Sequence, residues 1–275
     1  MILEGDSLKK IEEVSPKSIQ AVITSPPYWG LRNYDNDEQL GQESSPEKFV
    51  FNLIKLFSKI KNVLKDDGTV WVNIGDTFFG PKGGHHDSNN SITNNATGSE
   101  YRQQRKAPPK HSYLKDGDLS GVPWMFAKEM QKDGWYLKQD IIWHKPNPMP
   151  EAVNNRCVKS HEYIFLFTKK KQYYFNAEAI SKRKEDNSGF VRKSSVWTIN
   201  TASLSEAHFA LFPEELTAYC VLAGSKEGDT ILDPFMGAGT TALVAQKLGR
   251  KWIGIELNPK YIEIIKRRTA QTELF

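Results

Sequence analysis

Two short stretches of the chain carry residue types that could do chemistry together, and they lie far apart in sequence. The first is Ser25-Pro26-Pro27-Tyr28, which directly follows the apolar run SIQAVIT. Consecutive prolines remove backbone donors and stiffen the turn, so the Ser25 hydroxyl and the Pro26 carbonyl are left as acceptors. Such acceptors suit a planar amine. An amino group whose lone pair is delocalised into a ring is a poor nucleophile, and holding both of its hydrogens favours the pyramidal, more reactive form. Tyr28 adds a flat face on which a ring can stack. Read alone, Pro-Pro-Tyr is also an ordinary rigid loop.

The second stretch is Asp233-Pro234-Phe235-Met236-Gly237-Ala238-Gly239-Thr240-Thr241, placed where a strand should end and a helix begin. Open α/β sheets bind ligands at such junctions. Gly237 and Gly239 permit a sharp turn and close approach of a ligand to the backbone. Glu256 falls 17 residues beyond Gly239, at the end of the next expected strand, where a carboxylate can accept hydrogen bonds from two ribose hydroxyls. The pattern suits adenosine. The Gly-Lys-Ser/Thr ending of a phosphate-cradling loop is absent, which argues against triphosphate hydrolysis. The turn also satisfies G-x-G-x-x-A through Ala242, so a dinucleotide site and a ligand-free tight connection both stay open.

The elements that must position these residues follow from hydrophobic periodicity. Ser18–Thr24 is a short apolar run that reads as a buried strand, and Pro46–Leu64 repeats apolar residues at helical spacing. Lys65-Asp66-Asp67-Gly68 reads as a turn before a strand over Thr69–Gly75. Further strands are expected at Tyr136–Trp143, Glu162–Phe167, the TILD run and Lys251–Glu256, with helices at Pro123–Lys132, Pro213–Ala223 and after Pro259. Alternation of this kind predicts a single α/β domain with a mainly parallel sheet. From Phe79 to Gly121 the composition turns polar and glycine-rich, which predicts a mobile loop, placed at residues 80–118.

Composition bounds the remaining choices. The chain has 275 residues, 39% hydrophobic and 25% charged, enough for a packed core. No run approaches the roughly 18 apolar residues of a membrane span, and MILEGDSLKK lacks the pattern of a secretory signal. Two cysteines, Cys157 and Cys220, form no disulfide or zinc pattern. A reduced, cytoplasmic setting is expected. His85, His86 and Asp87 have no second ligand cluster, so no metal site is expected.

With 37 basic against 33 acidic residues the net charge is +4, too mild to prove a nucleic-acid partner. Its distribution is more telling. Arg102, Arg105 and Lys106 fall in one polar stretch, and Lys169 to Lys171, Lys182, Arg183, Lys184, Arg192 and Lys193 crowd another. Tyrosines and a phenylalanine sit beside both, the mixture a DNA-contacting surface uses, although a solvated face has the same look. The run Tyr173-Tyr174-Phe175 reads as strand packing rather than a base-stacking platform.

Taken in order, these motifs resemble those of the S-adenosyl-L-methionine-dependent DNA amino-methyltransferases, specifically their β class. The resemblance covers most of the chain. The TSPPYWG loop comes first and DPFMGAGTT near the C-terminus, with GDSL, WHKPNPMP, SHEYIFLF, HFALFPEEL and GIELNPKYI in family order around them. It implies a Rossmann-like methyltransferase domain with a mainly parallel seven-stranded sheet and circularly permuted motif order. By position it implies a catalytic role for Ser25, Pro26, Pro27 and Tyr28. Asp233, Phe235, Gly237, Gly239, Thr240 and Thr241 would lie on the methionine side of the cofactor, Glu256 at the ribose, Phe212 and Pro213 beside the methionine end, and Asp6 near the adenine. Arg102, Arg105, Lys106, Lys182, Arg183, Lys184, Arg192 and Lys193 would meet DNA, with residues 169–201 as target-recognition segment.

Serine at the head of the tetrapeptide is associated in that family with cytosine N4, and Asp or Asn with adenine N6, so methylation of a flipped-out cytosine in double-stranded DNA is expected, with adenine N6 as the alternative. The implied partners are duplex DNA and a companion restriction endonuclease, the protein acting as monomer or homodimer. RNA or protein methyltransferases with a similar loop place the cofactor motif first. A nicotinamide-dependent oxidoreductase would leave SPPYWG unexplained, and a non-catalytic DNA-binding module would leave the glycine turn without purpose.

Overall fold

The computed structural model describes residues 1–30, 39–80, 111–151, 153–184, 186, 188–203 and 210–270. In chain order the elements are β1 (Ile2–Glu4), α1 (Ser7–Lys10), β2 (Ile19–Thr24), α2 (Pro46–Val63), β3 (Leu64–Ile74), α3 (Val122–Lys132), β4 (Tyr136–His144) and β5 (His161–Thr168). Short pieces follow: β6 (Lys182–Arg183), β7 (Phe190–Val191), β8 (Val196–Thr198), β9 (Ala202–Ser203) and β10 (Ala210–Leu211). The chain closes with α4 (Glu214–Gly224), β11 (Thr230–Asp233), α5 (Thr240–Lys247), β12 (Lys251–Glu256) and α6 (Pro259–Ala270).

Eight strands form one sheet in the order β1-β12-β11-β2-β3-β5-β4-β8. Neighbours run parallel except at β5, which is antiparallel to both β3 and β4. The expected sheet class is therefore present with eight strands rather than seven, because Val196–Thr198 adds a three-residue edge strand parallel to β4. Two further pairs, β6 with β7 and β9 with β10, are separate antiparallel ribbons.

Helices cover both faces of the sheet, which is why β2 is buried at all six positions. The side-chain alternation of a strand then divides the core in two. Val70, Val72 and Ile74 of β3 join Phe165 and Phe167 of β5 against α2 and α3. Trp71, Ile164 and Leu166 point the other way, towards α4 and α5. Helix α2 begins where its sequence dictates: the Ser45 hydroxyl accepts from the Lys48 amide, and Pro46 occupies the first turn, where no donor is missed.

The expected turn at Lys65–Gly68 is instead part of β3. The strand starts directly after α2, and the pairing with β2 jumps from Ile19–Leu64 to Ala21–Thr69, so the extra residues bulge out of the ladder. The outward-pointing Asp66 there pairs with Lys17, Lys169 and Lys170. The run Tyr173-Tyr174-Phe175 packs without being a strand: it is irregular backbone, with Phe175 stacked on Trp71. Of the segment expected to be mobile, residues 81–110 lie outside the described ones. Its ends are held, with Phe78 bridged to Leu119 and the Ser120 amide donating to the Thr77 carbonyl. His111 and Tyr113 both reach Glu47 at the start of α2. No described helix is long and apolar enough to cross a membrane.

Candidate active site

Parallel strands end on the same side of a sheet, and that geometry brings the two chemical stretches together. Strands β2 and β11 are neighbours, so Thr24 and Asp233, each the last residue of its strand, lie side by side. The Thr24 hydroxyl donates to Asp233 Oδ1 at 2.7 Å, a bond between residues 209 positions apart. It joins the root of the Ser25–Tyr28 loop to the root of the glycine turn. Thr24 carries no catalytic signature in sequence and was not among the expected site residues.

Asp233 is 4% exposed and takes two more donors, the Thr241 hydroxyl at 2.7 Å and the Phe235 amide at 3.0 Å. Burial pushes its carboxyl up to about 6, against the pull of those three donors. The side chain thus organises the turn. Gly237 and Gly239 both take positive φ, 52° and 82°, as a reversal this tight demands. A Cβ built on Gly237 would meet nothing nearer than the Phe235 carbonyl at 4.0 Å, so the turn is open on that side. Thr240 and Thr241 are buried at the start of α5. Thr241 donates its hydroxyl to Asp233, whereas Thr240 Oγ1 accepts from Arg268 at 3.3 Å and keeps its own hydrogen, so the Thr240 hydroxyl and the first amides of α5 are the donors an anion could use.

Glu256 ends β12 beside this turn. Its carboxylate accepts from the Gly237 amide at 2.7 Å and the Asn258 amide at 2.8 Å, with the Leu257 amide as a further donor, which still leaves acceptor capacity on the group. Burial, with the nearby Asp233 charge, raises the carboxyl to about 7. Next to it, β1 pairs with β12, and the Gly5 amide donates to the Glu256 carbonyl at 2.9 Å. Asp6 follows immediately, its side chain capping α1 through the Lys9 amide at 3.1 Å. Phe212 packs against the core cluster of Trp71 and Leu216, and Pro213 opens α4, its carbonyl accepting from Thr217.

Around the first loop the structure assembles residues to which sequence reading assigns no role, although Glu162 and Lys145 lie in two of the quoted motifs. The Tyr28 hydroxyl donates to Glu162 Oε2 at 2.5 Å. Asn73, near the end of β3, lies 3.4 Å by its Oδ1 from Ser25 Oγ and donates through Nδ2 to Glu162 Oε2 at 3.1 Å. Lys145 pairs with the other Glu162 oxygen. Lys159 donates to the Asp76 carbonyl at 2.5 Å, and burial holds its ammonium below the usual lysine value. Glu162 is within reach only because β5 runs backwards: its first residues lie at the edge where its antiparallel neighbours β3 and β4 end. Gly75 must be bare, since a Cβ there would stand 2.8 Å from Tyr28 Cε2 and 3.2 Å from Glu162 Cδ.

The expected DNA contacts divide. Arg102, Arg105 and Lys106 lie outside the described residues. Lys182 and Arg183 form the exposed β6, with Lys184 and Arg192 exposed nearby. Lys193 instead stands 3.6 Å from the centroid of the Tyr219 ring, and burial lowers its pKa. Lys169 caps the end of α2 by donating to the Lys61 and Leu64 carbonyls. Among the described residues no three His, Cys, Asp or Glu side chains form a metal-holding group; His85, His86 and Asp87 lie outside them.

A helix-covered sheet with a glycine turn, an acidic partner one strand away and a second polar loop at the same edge defines a Rossmann-like methyltransferase fold. The PvuII DNA methyltransferase, described as cytosine-N4-specific, superposes with a TM-score of 0.71 at 21% identity, covering 98% of this chain and 85% of that one. M1.HpyAVI in complex with SAM superposes with a TM-score of 0.58 at 21% identity, covering 98% of each chain. Sequence carries the assignment further. The N6/N4 DNA methylase family model matches residues 19–267. The type II methyltransferase M.Cfr9I of Citrobacter freundii is 45% identical over 97% of this chain and 86% of its own length. M.SmaI of Serratia marcescens, also a type II methyltransferase, is 43% identical over 97% and 89%. The chain belongs to the N4/N6 DNA methyltransferases, in their β-class motif order.

Proposed function

We propose that the chain transfers a methyl group from S-adenosyl-L-methionine to the exocyclic N4 amine of a cytosine flipped out of duplex DNA, as the modification partner of a restriction endonuclease acting on the same site in the prokaryotic cytoplasm. The observation that carries this reading is the Thr24–Asp233 bond, which sets an amine-accepting loop beside an open glycine turn.

The residues present fit the methyl donor. Open space beside Gly237, the first amides of α5, which have no intrahelical acceptor, and the spare acceptor capacity of Glu256 suit an adenosyl group bearing an amino-acid tail. When bound, S-adenosyl-L-methionine supplies a methyl already activated by its positive sulfonium. The chain then has to hold the amine in line and keep water out. Ser25 Oγ and the Pro26 carbonyl accept the two amine hydrogens, Tyr28 stacks on the base, and Glu256 holds the ribose. The lysines and arginines of residues 169–201 and of the 102–106 stretch hold phosphates.

Serine at position 25 supports cytosine over adenine, and the cytosine-N4-specific description of the PvuII enzyme agrees. The test is to incubate the protein with unmethylated duplex DNA and S-adenosyl-L-methionine, digest to nucleosides and identify the product by mass spectrometry. N4-methylcytosine is expected. N6-methyladenine would overturn the base assignment and keep the family; no methylated nucleoside, with cofactor bound, would redirect the search to other substrates.

A further inference from the structure

Asn73 is a buried carboxamide, 2% exposed, between the apolar Val72 and Ile74 of a central strand. A polar group there requires partners, and it has them on every side. Its Nδ2 donates to Glu162 Oε2 at 3.1 Å and to the Tyr163 carbonyl at 3.2 Å. A carboxylate and a carbonyl can only accept, so both amide hydrogens are committed and the orientation of the group is settled by chemistry. Oδ1 must then face the loop, where Ser25 Oγ lies 3.4 Å away and Tyr28 Oη 3.3 Å away. Oδ1 cannot donate. The Ser25 hydroxyl therefore points its only hydrogen at Asn73, and what it offers outward is lone pairs.

We propose that Glu162, held by Lys145, is a positioning residue that sets the hydrogen-bond polarity of Ser25 through Asn73. This rests on Ser25 being the group that faces the target amine. A serine hydroxyl is ambivalent, able to donate or accept, whereas an amine about to be methylated needs an acceptor for its hydrogen. The chain from Glu162 carboxylate to Asn73 amide to Ser25 hydroxyl runs in one direction and removes that ambivalence. Glu162 also takes the Tyr28 hydroxyl at 2.5 Å, so one carboxylate orders both the acceptor and the stacking ring. Lys145 pairs with Oε1 and leaves Oε2 to these two donors. The bare backbone at Gly75 lets Tyr28 and Glu162 close over it.

Glu162→Gln breaks the polarity while keeping the shape. Lys145 has only donors and so retains the glutamine oxygen, which places the glutamine NH2 against Asn73 Nδ2 and Tyr28 Oη. Two NH2 groups cannot face each other, so Asn73 turns over and gives up its bond to the Tyr163 carbonyl; its NH2 then faces Ser25, and the serine becomes an acceptor for Asn73 rather than for the base. In single-turnover assays with saturating DNA and radiolabelled S-adenosyl-L-methionine, the methyl-transfer rate should fall about 100-fold, within the range for one positioned polar group. Tyr28 Oη can accept from the glutamine NH2 and so keep its ring in place, and affinity for cofactor and for DNA should stay within about twofold.

The deciding measurement is the double-mutant cycle with Ser25→Ala. If Glu162 acts through Ser25, Glu162→Gln should cost no more than about threefold further in the Ser25→Ala background. Additive losses, a loss of affinity parallel to the loss of rate, or a rate near wild type would each overturn the proposal. Lys145→Met removes the ammonium that pairs with Glu162 and stands 4.3 Å from the Trp143 ring centroid, so Glu162 is loosened but keeps its charge, and the variant should show a smaller loss, about tenfold, with the same dependence on Ser25; an equal loss without Ser25 would also overturn it. Full activity of Ser25→Ala by itself would instead refute the placement of the amine at Ser25.

Discussion

The raised carboxyl of Glu256 makes cofactor binding depend on pH in a way that can be worked out beforehand. Its pKa is lifted to about 7, chiefly by burial. The ribose hydroxyls it is proposed to hold are donors, and they bind the carboxylate better than the neutral acid. About one tenth of the group is ionised at pH 6, half at pH 7 and nine tenths at pH 8, so the Kd for S-adenosyl-L-methionine should tighten about tenfold between pH 6 and 8. At pH 7 binding should release about half a proton, readable by calorimetry in two buffers of different ionisation enthalpy. Glu256→Gln removes the titrating group. Its Kd at pH 8 should be about 10- to 100-fold weaker, the value of hydrogen bonds to a charged acceptor. Taking the ratio of variant to wild type at each pH cancels any ionisation of the ligand, and that ratio should rise with pH. Parallel curves for the two proteins would refute the assignment of Glu256 to the cofactor.

Thr24→Val keeps the shape of the side chain and removes the donor to Asp233. It should cost about 1.5–3 kcal/mol and lower Tm by about 3–5 °C; a Tm within about 1 °C of wild type would show that the two loops are not tied there. Without cofactor, stability should fall as pH rises from about 4 to about 7. Over that window the folded chain holds protons on Asp233 and Glu256 that the unfolded chain has already released, so unfolding becomes easier as the folded carboxyls are forced to ionise. Urea denaturation at stepped pH should show this slope, and Glu256→Gln should flatten it; an unchanged slope in the variant would place the proton elsewhere. Replacing the exposed Lys182 and Arg183 with Glu should weaken DNA binding and reduce the slope of log K against log salt by about two, one for each phosphate no longer neutralised. An unchanged slope would remove that ribbon from the interface.

Much of the scaffold was legible from local chemistry. The six apolar-rich residues of β2, the 18-residue helix behind Ser45 and Pro46, and the strand from Lys251 to Glu256 each carry their own periodicity or cap. Three-residue strands have no period to read, so β1 and β8 pass unnoticed and the sheet gains its eighth member. The Lys65–Gly68 run has turn composition, yet its backbone is captured by the ladder of β2 because only the bulge lets Thr69 onward pair in register. Lys193 has the chemistry of a phosphate-binding residue, and its position over Tyr219 is decided by a ring of α4, 26 positions along the chain.

By itself the sequence determined which functional groups exist and in what order: an acceptor loop, a glycine turn, an acidic residue one strand later, and the alternation that stacks their strands in parallel. These are local properties, set by composition and spacing along the covalent chain. The tertiary structure alone decided which groups meet. Asp233 is enclosed by Thr24, Thr241 and the Phe235 amide, partners that its place in the sequence does not name. Asn73 and Glu162 were ordinary members of strands until the reversed β5 carried Glu162 to the edge where β3 ends, 89 positions from its partner. Strand direction and register fix such meetings, and both are settled by the packing of the whole sheet, which no local window of residues contains.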